Sequence, residues 1–406
     1  MATVLENLKK YVQIETTSDS SAEVVPSTET QREFAKVLKG ELEALGVKDV
    51  IVDDKSFVMA KIPSNIDKKV PTVGFISHLD TAPDASGKNI KPIVHKNYDG
   101  GEIVIKEGLK ISPANTSDLH LYVGHDIVTS DGTTLLGGDD KAGIAAIMSA
   151  VEVIMKNPEI KHGDICIAFT PDEEIGVGGG VFNVEAFGAD FAYTLDGETL
   201  GEFNYETFTA AEVKVIVNGH NVHPGNAKNK MINACDVASE LATMMPALER
   251  PEHTEGYEGF FHLCEMSGEV DHMEMIYIIR DFYKDNLEDK KIRFKQIADQ
   301  VNAKYGAGVI ELVITDEYSN MREVLEDKKD IIAYAEEAYR NCDVPFDVKP
   351  IRGGTDGSKL SFRGLPCPNI FVGGNNFHSV AEYVSVQAME KASNIVVEIA
   401  KLVGSK

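Results

Sequence analysis

No two cysteines in the chain are spaced as CxxC, and the five present (Cys166, Cys235, Cys264, Cys342, Cys367) are odd in number. That usage disfavours both a disulfide framework and a structural zinc knuckle, and it fits a reducing compartment best. Basic residues are scarce: 40 Lys and Arg stand against 65 Asp and Glu, a formal charge of −25. Nucleic acid and anionic membranes need a basic face, so neither is expected as a partner. No apolar run approaches the roughly 18 residues of a membrane span. The opening MATVLENLKKYV sets Val4, Leu5, Leu8, Tyr11 and Val12 at helical spacing and lacks the apolar core of a signal peptide. Internal repeats and low-complexity tracts are also missing. These absences lead to the expectation of a cytoplasmic protein.

What is present is the composition of a soluble globular chain, 43% hydrophobic and 26% charged. At 406 residues it is too long for one ordinary core, and two domains are expected. A helix is signalled over 28–45, where Thr28 and Gln31 form a candidate capping box ahead of the stripe Phe34, Val37, Leu38, Leu42, Leu45. Strand-like runs follow at 50–54, 57–62 and 72–77, then a turn-rich segment over 82–138. The run AGIAAIMSAVEVIM (142–155) has a helical apolar face and is closed by Asn157-Pro158. DICIAFT (164–170) and FAYTLD (191–196) are short buried strands. Strands alternating with helices give an α/β class, a mixed sheet with helices on both faces. Between 207 and 316 the order becomes βαββαβ, that of a self-contained two-layer α+β module. The expected organisation is therefore a domain of 1–206 and 317–406 interrupted by an inserted module of 207–316.

Acids and histidines stand just past the ends of five of these strands. SHLDT (77–81), GGDDK (137–141), PDEE (171–174), LDGE (195–198) and NNFHS (375–379) could converge, because ligands of open α/β sheets bind outside the strands' carboxyl ends. Each stretch alone has a plainer reading: a satisfied histidine, a turn with an N-cap, or a solvated helical turn. Five strand ends carrying such residues by accident is a much weaker account. Imidazole and carboxylate are donors that Zn²⁺ accepts, and a dication removes the repulsion among clustered acids. His78 and Asp80, two apart in an extended segment, suit a metal-bound imidazole steadied by a carboxylate.

With NGHNVHPGNAKNK (218–230) and GGTDGS (353–358), these motifs together resemble the tripeptide aminopeptidase branch of the two-zinc metallopeptidase family that also holds aminoacylases and several carboxypeptidases. The likeness spans essentially the whole chain, with motifs in order. It implies two Zn²⁺ per subunit, although the same donors accept other divalent ions. His78 and Asp196 would serve one ion, Glu174 and His378 the other, and Asp140 would bridge them. Asp80 would orient His78, and Glu173 would be the general base acting on a bridging water. The resemblance also implies a cis peptide between Asp139 and Asp140. The inserted module would be a lid, with His223 stabilising the oxyanion and Arg280 and Arg352 as candidates to hold the peptide's C-terminal carboxylate. Without the resemblance, His223 would be a surface histidine in a turn and either arginine a surface ion pair. Related enzymes often pair through the lid, so the resemblance makes a homodimer one candidate assembly, with a short peptide as substrate. An N-acyl amino acid deacylase or dipeptidase would use the same site. A non-catalytic peptide-binding protein would have lost the base, which is present. Asp172 receives no role beyond a solvated turn.

Overall fold

The buried apolar runs of the sequence become the centre of an eight-stranded mixed sheet. A computed structural model describes residues 2–406. The chain divides into two units: Met1–Tyr205 with Val324–Lys349 and Thr355–Lys406, and Glu206–Glu323 with Pro350–Gly354.

In the first unit the strands run in the order Asp49–Val52, Val58–Ile62, Ile165–Thr170, Val73–His78, Phe191–Gly197, Asn369–Phe371, Glu202–Asn204, Asp347–Val348. The four from Ile165–Thr170 to Asn369–Phe371 are parallel neighbours, and Val58–Ile62 and Glu202–Asn204 flank them antiparallel. Alternation along a strand sends successive side chains to opposite faces. Phe75 thus joins the core beneath the helices Gly138–Lys156 and Val386–Ser405, while Ile76 joins the second core with Phe182, Phe187 and Leu360. Helices cover both faces, which is why the central strands read as continuous apolar runs. His78 pairs in register with Thr170, so His78 and the PDEE stretch leave the sheet at one edge, joined there by Asp196.

The helix Gly138–Lys156 is not regular at its start: Asp139 and Asp140 have non-helical backbone angles, and the peptide between them is cis. Its close seat on the sheet depends on Gly143, where an added Cβ would lie 2.1 Å from the Leu195 carbonyl oxygen. The helix Glu29–Ala44 lacks the capping box expected of it. Thr28 Oγ1 donates to the Thr17 carbonyl and caps no backbone N–H, and the Gln31 amide donates to the Ser27 and Thr28 hydroxyls at 3.2 Å and to Asp172 at 2.7 Å instead of to backbone. The first helix, Val4–Tyr11, does carry a capping box, made by Thr3 and Glu6.

The second unit follows the expected βαββαβ order. Its antiparallel sheet runs Phe260–Glu269, His272–Asp281, Thr209–Asn218, Ile310–Tyr318. One face, with Val213, Val215, Met275, Tyr277 and Ile279, packs against Leu241 of the helix Ala234–Met244 and Phe294 of Lys284–Tyr305. The unit reaches beyond the expected 207–316 because its last strand continues to Tyr318. Residues 350–354 also return to it: Thr207 bridges Ile351, and Phe208 N donates to the Gly353 carbonyl. Among the described residues all five cysteines are free, and no helix is long and apolar enough to cross a membrane.

Replacing Gly143 by Ala forces the helix off the sheet. Overpacking of this kind costs about 1–3 kcal/mol, so urea titration of Gly143→Ala should show a lower midpoint with an unchanged slope.

Candidate metal centre

The edge where the parallel strands end carries more buried negative charge than its own cations offset. His78, 2% exposed, ends its strand with Nε2 lying 2.8 Å from Asp139 Oδ1 and 3.6 Å from Asp196 Oδ1. Its Nδ1–H donates to the Asp80 carbonyl oxygen at 3.0 Å, which leaves Nε2 as the ring atom turned to Asp139 and Asp196. His378, at φ 61°, places Nε2 2.9 Å from Glu174 Oε2 and 3.4 Å from Asp139 Oδ2. The two oxygens of Asp139 therefore face two different imidazoles.

Asp140 is placed differently from Asp139. Its fully buried carboxylate points into the sheet and accepts the backbone N–H groups of His78 and Gly143, each at 3.2 Å. Asp139, its neighbour, occupies the position between the histidines. The irregular backbone at 139–140 sends the two side chains in directions that neither a strand nor a helix period anticipates.

Four further carboxylates hold backbone in place. Asp80 accepts from Glu173 N at 3.0 Å and Glu174 N at 3.1 Å, so it fixes the PDEE stretch as well as His78. Glu382 accepts from Leu136 N, Gly137 N and Asp139 N, fastening the loop that presents Asp139. Asp356, in the GGTDGS motif, accepts from the Thr170 hydroxyl and Gly179 N, and its own N–H donates to Glu173 Oε1 at 3.2 Å. Asp172 is fully buried rather than solvated, and binds Ser27 and Gln31. The sequence offered no signal for Glu382 or for Asp172, since their partners are distant in the chain.

The electrostatics follow from this crowding. Burial opposes charge on His78, but its contacts with Asp139, Asp196 and Asp80 outweigh that and hold its pKa well above the usual range. Hydrogen bonds to Asp139 and Glu174 push His378 up to about 11. Burial pushes the Asp139 carboxyl up, yet the two histidines win and hold it low. Burial, then repulsion from Asp139, takes Glu174 up to about 8, and burial takes Asp196 up to about 6. Glu173 is raised well above the carboxylate range by burial and by the charge of Asp196. Without an ion, protons on the two imidazoles supply the compensating charge; a dication would displace them and take over that role.

The donor set fits such an ion. Among the described residues two groups have ligand atoms within 4.8 Å of one another, His78–Asp139–Glu174 and His78–Asp140–Asp196. Glu174 Oε1 is buried with no hydrogen-bond partner, an orphan acceptor beside an imidazole. The remaining expected residues lie in the second unit. His223 is exposed in a turn, its Nδ1 accepting from Gly225 N. Arg280 pairs with Glu317 at 2.8 Å and lies over the Tyr318 ring. Arg352 donates to the carbonyls of Gly256 and Glu258 and to Thr254.

Comparison with known proteins gives relatives at the level of both sequence and fold. Residues 131–402 match the profile of peptidase family M20/M25/M40. A peptidase T from Clostridium perfringens (strain SM101 / Type A) is 51% identical over 406 residues, covering 100% of both chains. The fold matches that of a tripeptidase from Staphylococcus aureus with TM-score 0.80 at 23% identity, covering 99% of this chain and 98% of that one. It also matches a dinuclear metal-binding peptidase of the M20 family from Bacillus subtilis, with TM-score 0.62 at 15% identity over 99% and 98%.

The two adjacent aspartates should separate on substitution. Asp139→Asn should lower the zinc content measured by elemental analysis, whereas Asp140→Asn should retain it. The latter should instead destabilise the fold by about 1–3 kcal/mol, because an amide N–H replaces an acceptor of buried backbone donors.

Proposed function

The chain belongs to peptidase family M20/M25/M40 and to its peptidase T branch, and from that premise we propose that it is a zinc-dependent aminopeptidase releasing the N-terminal residue of tripeptides. The observation that carries this reading is the Asp139 carboxylate facing both His78 and His378, with half-buried Glu173 beside them. His78, Asp196 and Asp139 would hold one ion; His378, Glu174 and Asp139 would hold the other. Two zinc ions there would supply a Lewis acid for the scissile carbonyl and an acidified water for attack.

The rest of the chemistry falls to side chains. Glu173 takes the proton of the attacking water and returns it to the leaving amine, the task of a general base that becomes a general acid. Asp80 keeps the Glu173 and Glu174 peptide in place and fixes the His78 tautomer. His223 is the reading's oxyanion donor, free of any partner but its own turn. Arg280 is its anchor for the substrate's C-terminal carboxylate, since Glu317 is a carboxylate that another can replace. Arg352 is a second candidate for that anchor, and its guanidinium also donates to the 254–258 loop. Gripping a free amine and a C-terminal carboxylate together would set the substrate length. The reading includes a cytoplasmic location and a homodimer formed through the second unit.

Two measurements test it. Glu173→Ala should keep its zinc while turnover falls roughly 10²–10⁴-fold; activity that survives rules Glu173 out as the base. Hydrolysis of di-, tri- and tetrapeptides and of N-acetylated amino acids should favour tripeptides, and a preference for acylated substrates would make the enzyme a deacylase.

A further inference from the structure

We propose that Asp172 is a positioning residue for the proposed hydrolysis: clamped by Ser27 and Gln31, it fixes the turn that aims Glu173 and Glu174 at the metal centre. The inference rests on the functional reading above and assigns a device to residues 27–31, which lie outside the two candidate ligand groups.

After the strand Ile165–Thr170 the chain must turn sharply, and Asp172 does so at φ 57°. Glycine adopts that left-handed region freely, and aspartate only at a cost. Backbone freedom alone therefore does not account for an aspartate here. Its hydrogen bonds do. The carboxylate accepts from Ser27 N at 2.7 Å, Ser27 Oγ at 2.5 Å and Gln31 Nε2 at 2.7 Å. Its N–H donates to Gln31 Oε1 at 3.1 Å, and its carbonyl accepts from Val177 N and Gly178 N at 2.9 and 3.0 Å. Every polar group of Asp172 is tied, and the residue is fully buried.

Immediately downstream, Glu173 N and Glu174 N are both held by the Asp80 carboxylate. Asp80 alone would leave the dipeptide free to pivot about those two bonds. The clamp on Asp172 removes the pivot. Gln31 is also fully buried, and its amide serves Asp172 with both ends, donating to the carboxylate and accepting from the backbone. A displacement of about 1 Å at a reacting group costs on the order of 10²-fold in rate, so loss of this clamp should be read in catalysis.

The test compares Gln31→Met, Asp172→Asn, Asp172→Gly and the swapped pair Gln31→Glu with Asp172→Asn. In the swapped pair the amide and the carboxylate trade places, so the hydrogen bond between the two side chains is kept with its direction reversed. Trialanine is the substrate. Each single variant should melt cooperatively and keep wild-type zinc stoichiometry, with kcat roughly 10- to 100-fold lower and KM within about twofold. The swapped pair should recover most of kcat. In Co²⁺-loaded protein, the visible absorption bands of Gln31→Met should shift, because the Glu174 carboxylate moves. Wild-type kcat in the folded single variants, Asp172→Gly included, overturns the proposal. A kcat loss that only follows zinc loss, or an unchanged Co²⁺ spectrum, overturns it as well. The Co²⁺ measurement needs no substrate. If the wild type cleaves no tripeptide, the functional reading fails while the clamp is still judged.

Discussion

Buried like charge is the constraint around which the first unit is built. Asp139, Asp140, Glu173, Glu174 and Asp196 are brought to the edge of one sheet, and among the described residues two imidazoles face them. In a medium of low dielectric such crowding is sustainable only with a cation or with protons in its place. The raised pKa values of Glu173, Glu174 and Asp196 express that imbalance, and the depressed one of Asp139 shows where the histidines partly offset it.

A second set of acids makes the first set usable. Asp80, Asp172, Asp356 and Glu382 point their oxygens at backbone N–H groups, and each holds a segment that presents a member of the site. A carboxylate accepts several N–H groups at once, and such charge-assisted bonds are stronger than neutral ones. Loops after strands are the natural place for ligands but the wrong place for rigidity. These acids give loop residues the fixity that helices and strands have from their own ladders.

The parts of the molecule that sequence made legible are those with a local cause. The strand ends were readable because apolar runs stop abruptly and acids follow, and the βαββαβ order of the second unit was readable from alternating periods. That Asp139 stands between the two histidines was not readable, because a two-residue distortion turns the side chains of Asp139 and Asp140 apart and no period survives across it. Thr28 and Gln31 fitted a capping box by spacing, but Gln31 bonds an aspartate 141 positions away. The carbonyl partners of Arg352 were not legible, because nothing in IRGGTDG shows that its first residues belong with the 254–258 loop. Long-range polar pairing is what one sequence conceals.

The return of residues 350–354 to the second unit bears on how this architecture can be taken apart. An insertion that left and rejoined its host at one place could be excised or transplanted as a single cassette. Here the chain passes between units at 205/206, 323/324, 349/350 and 354/355. Cutting out 206–323 would strand a pentapeptide whose Arg352 had lost its carbonyl partners and its seat against Phe208 and Phe260. Any lineage or engineer exchanging the module must therefore exchange two separate pieces of gene together.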